Sequence, residues 1–82
     1  MSKKEKLLQR FLQQPSDFEW SELQTLLRSF GFQELKNNGS RRKFYHEDLK
    51  SVIILHEPHP KKVLKAYAMK EVYHKLKETG LI

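Results

Sequence analysis

The chain has 82 residues, 38% hydrophobic content, a formal net charge of +6 and no cysteine. That is enough for one modest core and not for two, and it excludes disulfides and thiolate zinc sites. No apolar run approaches the length of about 18 residues that spans a membrane. The basic start, Met1-Ser2-Lys3-Lys4-Glu5-Lys6, leads into an amphipathic pattern and not a signal-peptide apolar run, so the expected compartment is the cytoplasm.

A first helix is predicted from about Ser2 to Gln13, where Leu7, Leu8, Phe11 and Leu12 make one apolar stripe. Gln13-Gln14-Pro15-Ser16-Asp17 ends it and serves as a linker, so residues 1–17 are expected to form a helical extension and residues 18–82 the domain proper. A second helix is predicted near Ser21, which has capping-box spacing to Gln24. Trp20, Leu23, Leu26, Leu27 and Phe30 share its apolar face, and Gly31 stops it. Phe32 to Lys36 is a weak strand candidate, and Asn37-Asn38-Gly39 is a hairpin turn signal.

Arg41 to His46 alternates around Phe44. With Phe44 facing the core, Arg42 and His46 share its side, and Arg41, Lys43 and Tyr45 lie on the open face. Glu47-Asp48-Leu49-Lys50 joins this strand to Val52–Leu55, an apolar run expected of a central strand. Pro58 and Pro60 end the sheet, and Lys61 to Tyr67 is expected to be an irregular crossing segment. A last helix is predicted from about Ala68 to Thr79, with Met69, Val72, Tyr73 and Leu76 on one face and Gly80 as its stop. The expected class is α+β, with an αβββα core, a three-stranded antiparallel sheet, helices on one face and an extra N-terminal helix.

Residues 35–65 hold eight cations (Lys36, Arg41, Arg42, Lys43, Lys50, Lys61, Lys62, Lys65) against three anions. Clustered charge of this kind points to a polyanion or an acidic protein as partner; the alternative is a solvated basic surface. Arg41, Arg42, Lys43, Lys61 and Lys62 are the candidate phosphate contacts. Tyr45 is the aromatic that alternation places among them, free either to stack on a base or to pack across strands. DNA reading through a recognition helix is disfavoured, since no helix concentrates basic and amide side chains.

The αβββα order is that of double-stranded-RNA-binding domains, and from Phe18 onward the chain resembles a narrower group. The helix Trp20-Ser21-Glu22-Leu23…Leu26-Leu27 ending in Phe30-Gly31-Phe32 matches the HicA family of toxins from bacterial type II toxin–antitoxin modules. So do Gly39-Ser40 opening a strand with Phe44, then His56-Glu57-Pro58-His59-Pro60, and a final helix closing on Gly80-Leu81. The resemblance implies a small dsRNA-binding-domain-like fold and a ribonuclease that cleaves messenger RNA, halts growth and is neutralised by a HicB-type antitoxin. It also implies a key histidine just after the glycine turn. Here that position is Arg41, so a module that binds RNA or protein without cleaving it is the alternative function.

Cleavage by internal attack needs a base for the 2′-OH proton, stabilisation of the phosphorane and an acid for the leaving oxygen. Histidine suits the proton transfers. Arginine stays protonated and can only hold phosphate and offset charge. His59 and His56, where an apolar strand leaves the sheet, are the expected catalytic residues together with Arg41; the alternative for His59 is a cap or a bond to a backbone carbonyl. His46, beside Glu47 and Asp48, is expected to be a surface turn residue, and His74 plain helix surface. Two histidines without a supporting carboxylate or cysteine cluster do not suggest a metal site, and no cofactor is expected.

Overall fold

The computed structural model describes residues 3–36, 39 and 41–82. Among them, three helices and three strands run in the order α1 (Lys3–Leu12), α2 (Trp20–Ser29), β1 (Gln33–Lys36), β2 (Arg41–His46), β3 (Ser51–His56) and α3 (Ala66–Glu78). This is the α+β, dsRNA-binding-domain-like αβββα arrangement preceded by one helix. The expected turn residues Asn37 and Asn38, together with Ser2 and Ser40, lie outside the described residues.

The sheet is antiparallel throughout, in the order β1-β2-β3. Its register sets Glu34, Phe44 and Ile53 in one cross-strand row and Leu35, Lys43 and Ile54 in the next. Side chains alternate between faces along each strand, so these rows look in opposite directions. Phe44, Ile53 and Leu55 are buried under the helices, whereas Leu35 and Ile54 are exposed. The core they join includes Phe18, Trp20, Leu23, Leu26, Leu27, Met69, Val72 and Leu76. Phe11 of α1 is fully buried in that same core, its ring meeting Phe18 edge-on at 5.6 Å.

Arg10 fastens α1 from outside. Its guanidinium donates to the Glu22 carboxylate at 3.0 Å and to the Asp17 carbonyl at 3.0 Å. Glu22 also accepts from the Glu19 N–H at 3.0 Å, closing a capping box between Glu19 and Glu22. The cap therefore lies two residues before Ser21, and α2 starts at Trp20. A carboxylate at the third helical position satisfies an orphan N–H and suits the positive end of the helix dipole.

The segment before α3 is more ordered than the expected irregular crossing. Val63 bridges Glu19, the Trp20 N–H donates to the Lys62 carbonyl at 2.8 Å, and the Leu64 N–H donates to the Phe18 carbonyl at 2.8 Å. This clip lets α3 begin at Ala66, two residues earlier than the apolar pattern suggests. It also brings Tyr67 onto the helix.

α2 ends in paired bonds, from the Gly31 N–H to the Arg28 carbonyl and from the Phe32 N–H to the Leu27 carbonyl, both 3.0 Å. This Schellman arrangement needs a left-handed residue, and Gly31 sits at φ +102°. It also delivers the Phe30 carbonyl to His46. His46 is not a surface turn residue but a buried one, 9% exposed. Its Nδ1 accepts from the Leu49 N–H at 3.3 Å, so its Nε2 carries the hydrogen and donates to the Phe30 carbonyl at 2.9 Å. The ring also meets Phe32 edge-on at 5.1 Å. One imidazole thus ties the end of α2 to the β2–β3 turn.

A Cβ added to Gly31 would lie 2.9 Å from the His46 Nε2, whereas one added to Gly39 meets nothing within 4 Å among the described residues. Both positions have positive φ, so each alanine carries backbone strain of about 1–3 kcal/mol. Gly31→Ala is expected to be the more destabilising in urea denaturation. Its cost should combine less than additively with that of His46→Ala, since the two changes share one contact. Equal losses at Gly31 and Gly39, with strict additivity at His46, would remove the close approach from the stability of the fold.

Candidate functional site

The expected basic strand divides between the two faces. Arg41, Lys43 and Tyr45 lie on the open face, in cross-strand register with His56, Ile54 and Val52. Arg41 and His56 are exposed, and Lys43 and Tyr45 are half-buried. Gln33 and Leu35 of β1 complete the same face. This surface combines two cations, an imidazole, a phenol and two exposed aliphatic side chains.

Arg42 lies on the other face and is engaged inside the molecule. Its guanidinium donates to Glu57 at 2.9 Å, to the Gly39 carbonyl at 2.9 Å and to the Arg41 carbonyl at 3.1 Å. The Glu34 carboxylate lies 3.7 Å from its Nε, and Gln24 donates to Glu34 at 2.8 Å. Glu57 in turn holds Lys62. Of the expected phosphate contacts, Arg42 and Lys62 are therefore ion-paired to Glu57. Arg41, Lys43 and Lys61 have no ion pair to a described carboxylate, and Lys61 sits exposed in the proline loop.

The two candidate histidines come together. His56 and His59 line one cleft of about 190 Å³ with Pro58, Lys65 and Tyr67, over a floor of Leu64 and Ala68. His56 belongs to both surfaces, since it ends β3 opposite Arg41 and opens into the cleft. Both imidazoles are exposed, so solvent and ligand can reach them. Lys65 and Tyr67 were not among the residues expected from sequence. The signal that could have found them is the basic run Lys61-Lys62…Lys65, followed by an aromatic just outside the apolar stripe of α3. A larger cavity, about 730 Å³, lies elsewhere, between the end of α1 and α3, with Leu12, Tyr73, His74 and Lys77 in its lining. It shares no lining residue with the cleft that holds the histidine pair. No three His, Asp or Glu side chains cluster as metal ligands among the described residues. Among them, too, no helix is long and apolar enough to cross a membrane.

Two carboxyls hold the frame. Hydrogen bonding to Lys62 keeps the Glu57 carboxyl below its usual range, partial burial opposes this, and the charges of Lys62, Arg42 and His59 add to the lowering. Hydrogen bonding to Arg10 does the same for Glu22, again against partial burial. A carboxyl whose folded value lies below its unfolded one contributes stability that is fully present above the unfolded range, about pH 4.3. That stability is lost as pH falls through the lowered folded value. Glu57→Gln and Glu22→Gln should each be less stable than wild type at neutral pH and lose less on acidification. Melting temperatures that fall in parallel with wild type as the pH is lowered would show that these pairs supply no pH-dependent stability.

No curated protein and no solved structure matches the chain. One family model does, described as the HicA toxin of bacterial toxin–antitoxin systems, over residues 20–81. The match runs from the first residue of α2 to the segment after α3. It takes in the open sheet face, the proline loop and the cleft, and leaves α1 outside. The chain belongs to the HicA toxin family.

Proposed function

We propose that this toxin is an mRNA interferase, an endoribonuclease that binds single-stranded messenger RNA on its basic face and is neutralised by a HicB-type antitoxin. The observation that carries this reading is the convergence of Arg41, His56 and His59 at one corner of the sheet. Arg41 is the phosphate anchor, because guanidinium binds phosphate oxygens bidentately and stays charged. One imidazole takes the 2′-OH proton, and the 2′ oxygen attacks phosphorus. The other imidazole protonates the departing 5′ oxygen, leaving a 2′,3′-cyclic phosphate and a 5′-hydroxyl. Lys43 and Lys61 extend the phosphate track, and Tyr45 lies along it. Arg42 and Lys62, tied to Glu57, shape the site more than they touch RNA.

One observation favours a second reading. Arg41 stands where the family pattern has its histidine, and a chain without that imidazole can bind RNA or a partner and not cleave. His59→Ala separates the two. Under the nuclease reading it lowers RNA cleavage by roughly 100-fold or more and relieves growth arrest on induced expression, with RNA affinity nearly unchanged. Arg41→Ala lowers binding and cleavage together. A folded His59→Ala protein that cleaves at the wild-type rate overturns the assignment. Under the binding-only reading, wild type does not cleave and Arg41→His gains activity.

The antitoxin is expected to present an acidic surface to the open face, burying Arg41 and Lys43 and occluding His59. Complementary charge of this kind speeds association and selects the partner. A structure of the complex that leaves all three exposed would assign inhibition to another route.

A further inference from the structure

Tyr67 lies on the first turn of α3 with 62% of its surface exposed. The buried stripe of that helix is Ala68, Met69, Val72 and Leu76, so the core does not require an aromatic ring at position 67. Leu64 and Ala68, which floor the cleft, are already buried at 3% and 8% exposure. Tyr67 therefore lines the cleft largely exposed, in one lining with His56, Pro58, His59 and Lys65. A phenol has a flat apolar face and a polar edge, and such faces hold unpaired bases by stacking.

Resting on the RNA reading of this site, we propose that Tyr67 is the platform on which one unpaired base of single-stranded RNA stacks, with Lys65 taking an adjoining phosphate. The cleft's size and charge select this ligand. At about 190 Å³ it is smaller than the roughly 300–1,000 Å³ of small-molecule sites, so it admits one ring and not a base pair. A base inside a duplex keeps its faces covered by its neighbours and cannot offer one to a side chain. Lys65 in the cleft lining, and Arg41 in cross-strand register with His56, supply cations for the phosphates on either side of a splayed nucleotide, while the Glu57 carboxylate, which also lines the cleft, is already ion-paired to Arg42 and Lys62. Stacking is tolerant of base identity, so Tyr67 contributes affinity and single-strand preference more than sequence preference. It is a binding residue and takes no part in proton transfer.

The test uses the full chain and a short single-stranded RNA carrying 2-aminopurine, with 2′-O-methyl groups so that internal attack cannot occur. Stacking on an aromatic ring quenches 2-aminopurine. Wild type and Tyr67→Phe should quench it and bind alike. Tyr67→Ala, checked for fold by circular dichroism, should lose the quench and bind roughly 5- to 150-fold more weakly, the range for removing one stacked base. Lys65→Ala should weaken binding and leave the quench of the bound RNA intact. The same sequence as a duplex should bind without quenching. If wild type binds the single strand and Tyr67→Ala binds and quenches equally, the platform is wrong while the RNA reading stands. If Tyr67→Ala keeps RNA affinity and instead escapes neutralisation by a co-expressed antitoxin, the ring is a protein contact and the proposal falls. If wild type binds no RNA, the RNA reading fails and takes the platform with it.

Discussion

The pairing of Arg42 with Glu57 is the interaction on which the geometry of the site depends. Arg42 reaches from the second strand to the first residue beyond the third, and it also holds the carbonyl of Gly39 in the preceding turn. Glu57 passes the constraint to Lys62 on the far side of the proline loop. Gly39, the strand end and the loop are thereby linked through three side chains, Arg42, Glu57 and Lys62. The guanidinium and the Glu57 carboxylate are both mostly shielded, at 17% and 21% side-chain exposure, so the pair is less screened than a surface ion pair. Removing Arg42 leaves Glu57 with Lys62 alone, and removing Glu57 leaves Arg42 with the more distant Glu34 carboxylate and two backbone carbonyls.

A second constraint acts at the opposite end of the sheet. His46 donates to the carbonyl at the end of α2 and accepts from the turn after β2. Arg42 and His46 flank Phe44 on the helix-covered side of the same strand. Arg41, Lys43 and Tyr45 are thereby committed to the other side. The alternation that hides Arg42 and His46 is what exposes Arg41 and Lys43, because a one-residue slip would exchange the two sets. The charge on the open face and the polar pins of the covered face are thus one feature of the strand.

Much of this was legible in the sequence. Trp20, Leu23, Leu26 and Leu27 repeat at helical spacing before a glycine, and Phe44 alone fixes which way β2 faces. The helix cap was less legible, because Ser21 and Gln24 have the preferred residue types while the actual pair, Glu19 and Glu22, is recruited by Arg10 of another helix. His46 shows the same limit. Its local composition is that of a turn, and its decisive partner, Phe30, is 16 residues away. Arg42 finds Glu57 at a separation of 15. Tyr67 was hidden by the start of α3, which is set by backbone bonds from Phe18 and Trp20 that no periodicity in residues 61–67 reveals. Local pattern gave the elements and their faces; contacts between distant segments decided which polar side chains are available.

The open face bears on how a toxin can be both active and controllable. Leu35 and Ile54 remain 45% and 50% exposed in register with Lys43 between them. A phosphate backbone gains from the cation and gains little from the aliphatic groups. An antitoxin surface can use both kinds of group, with carboxylates for Arg41 and Lys43 and apolar side chains for Leu35 and Ile54. Phosphate contacts release counterions and weaken steeply as salt rises, whereas burial of apolar surface does not depend on counterion release. On the proposed function, the two ligands share the electrostatic part of the surface and differ in the hydrophobic part. Raising salt should then shift the competition toward the antitoxin, and replacing Leu35 and Ile54 with serine should shift it back toward RNA. On that reading the aliphatic pair, which no step of the proposed cleavage uses, decides which ligand holds the face as ionic strength rises.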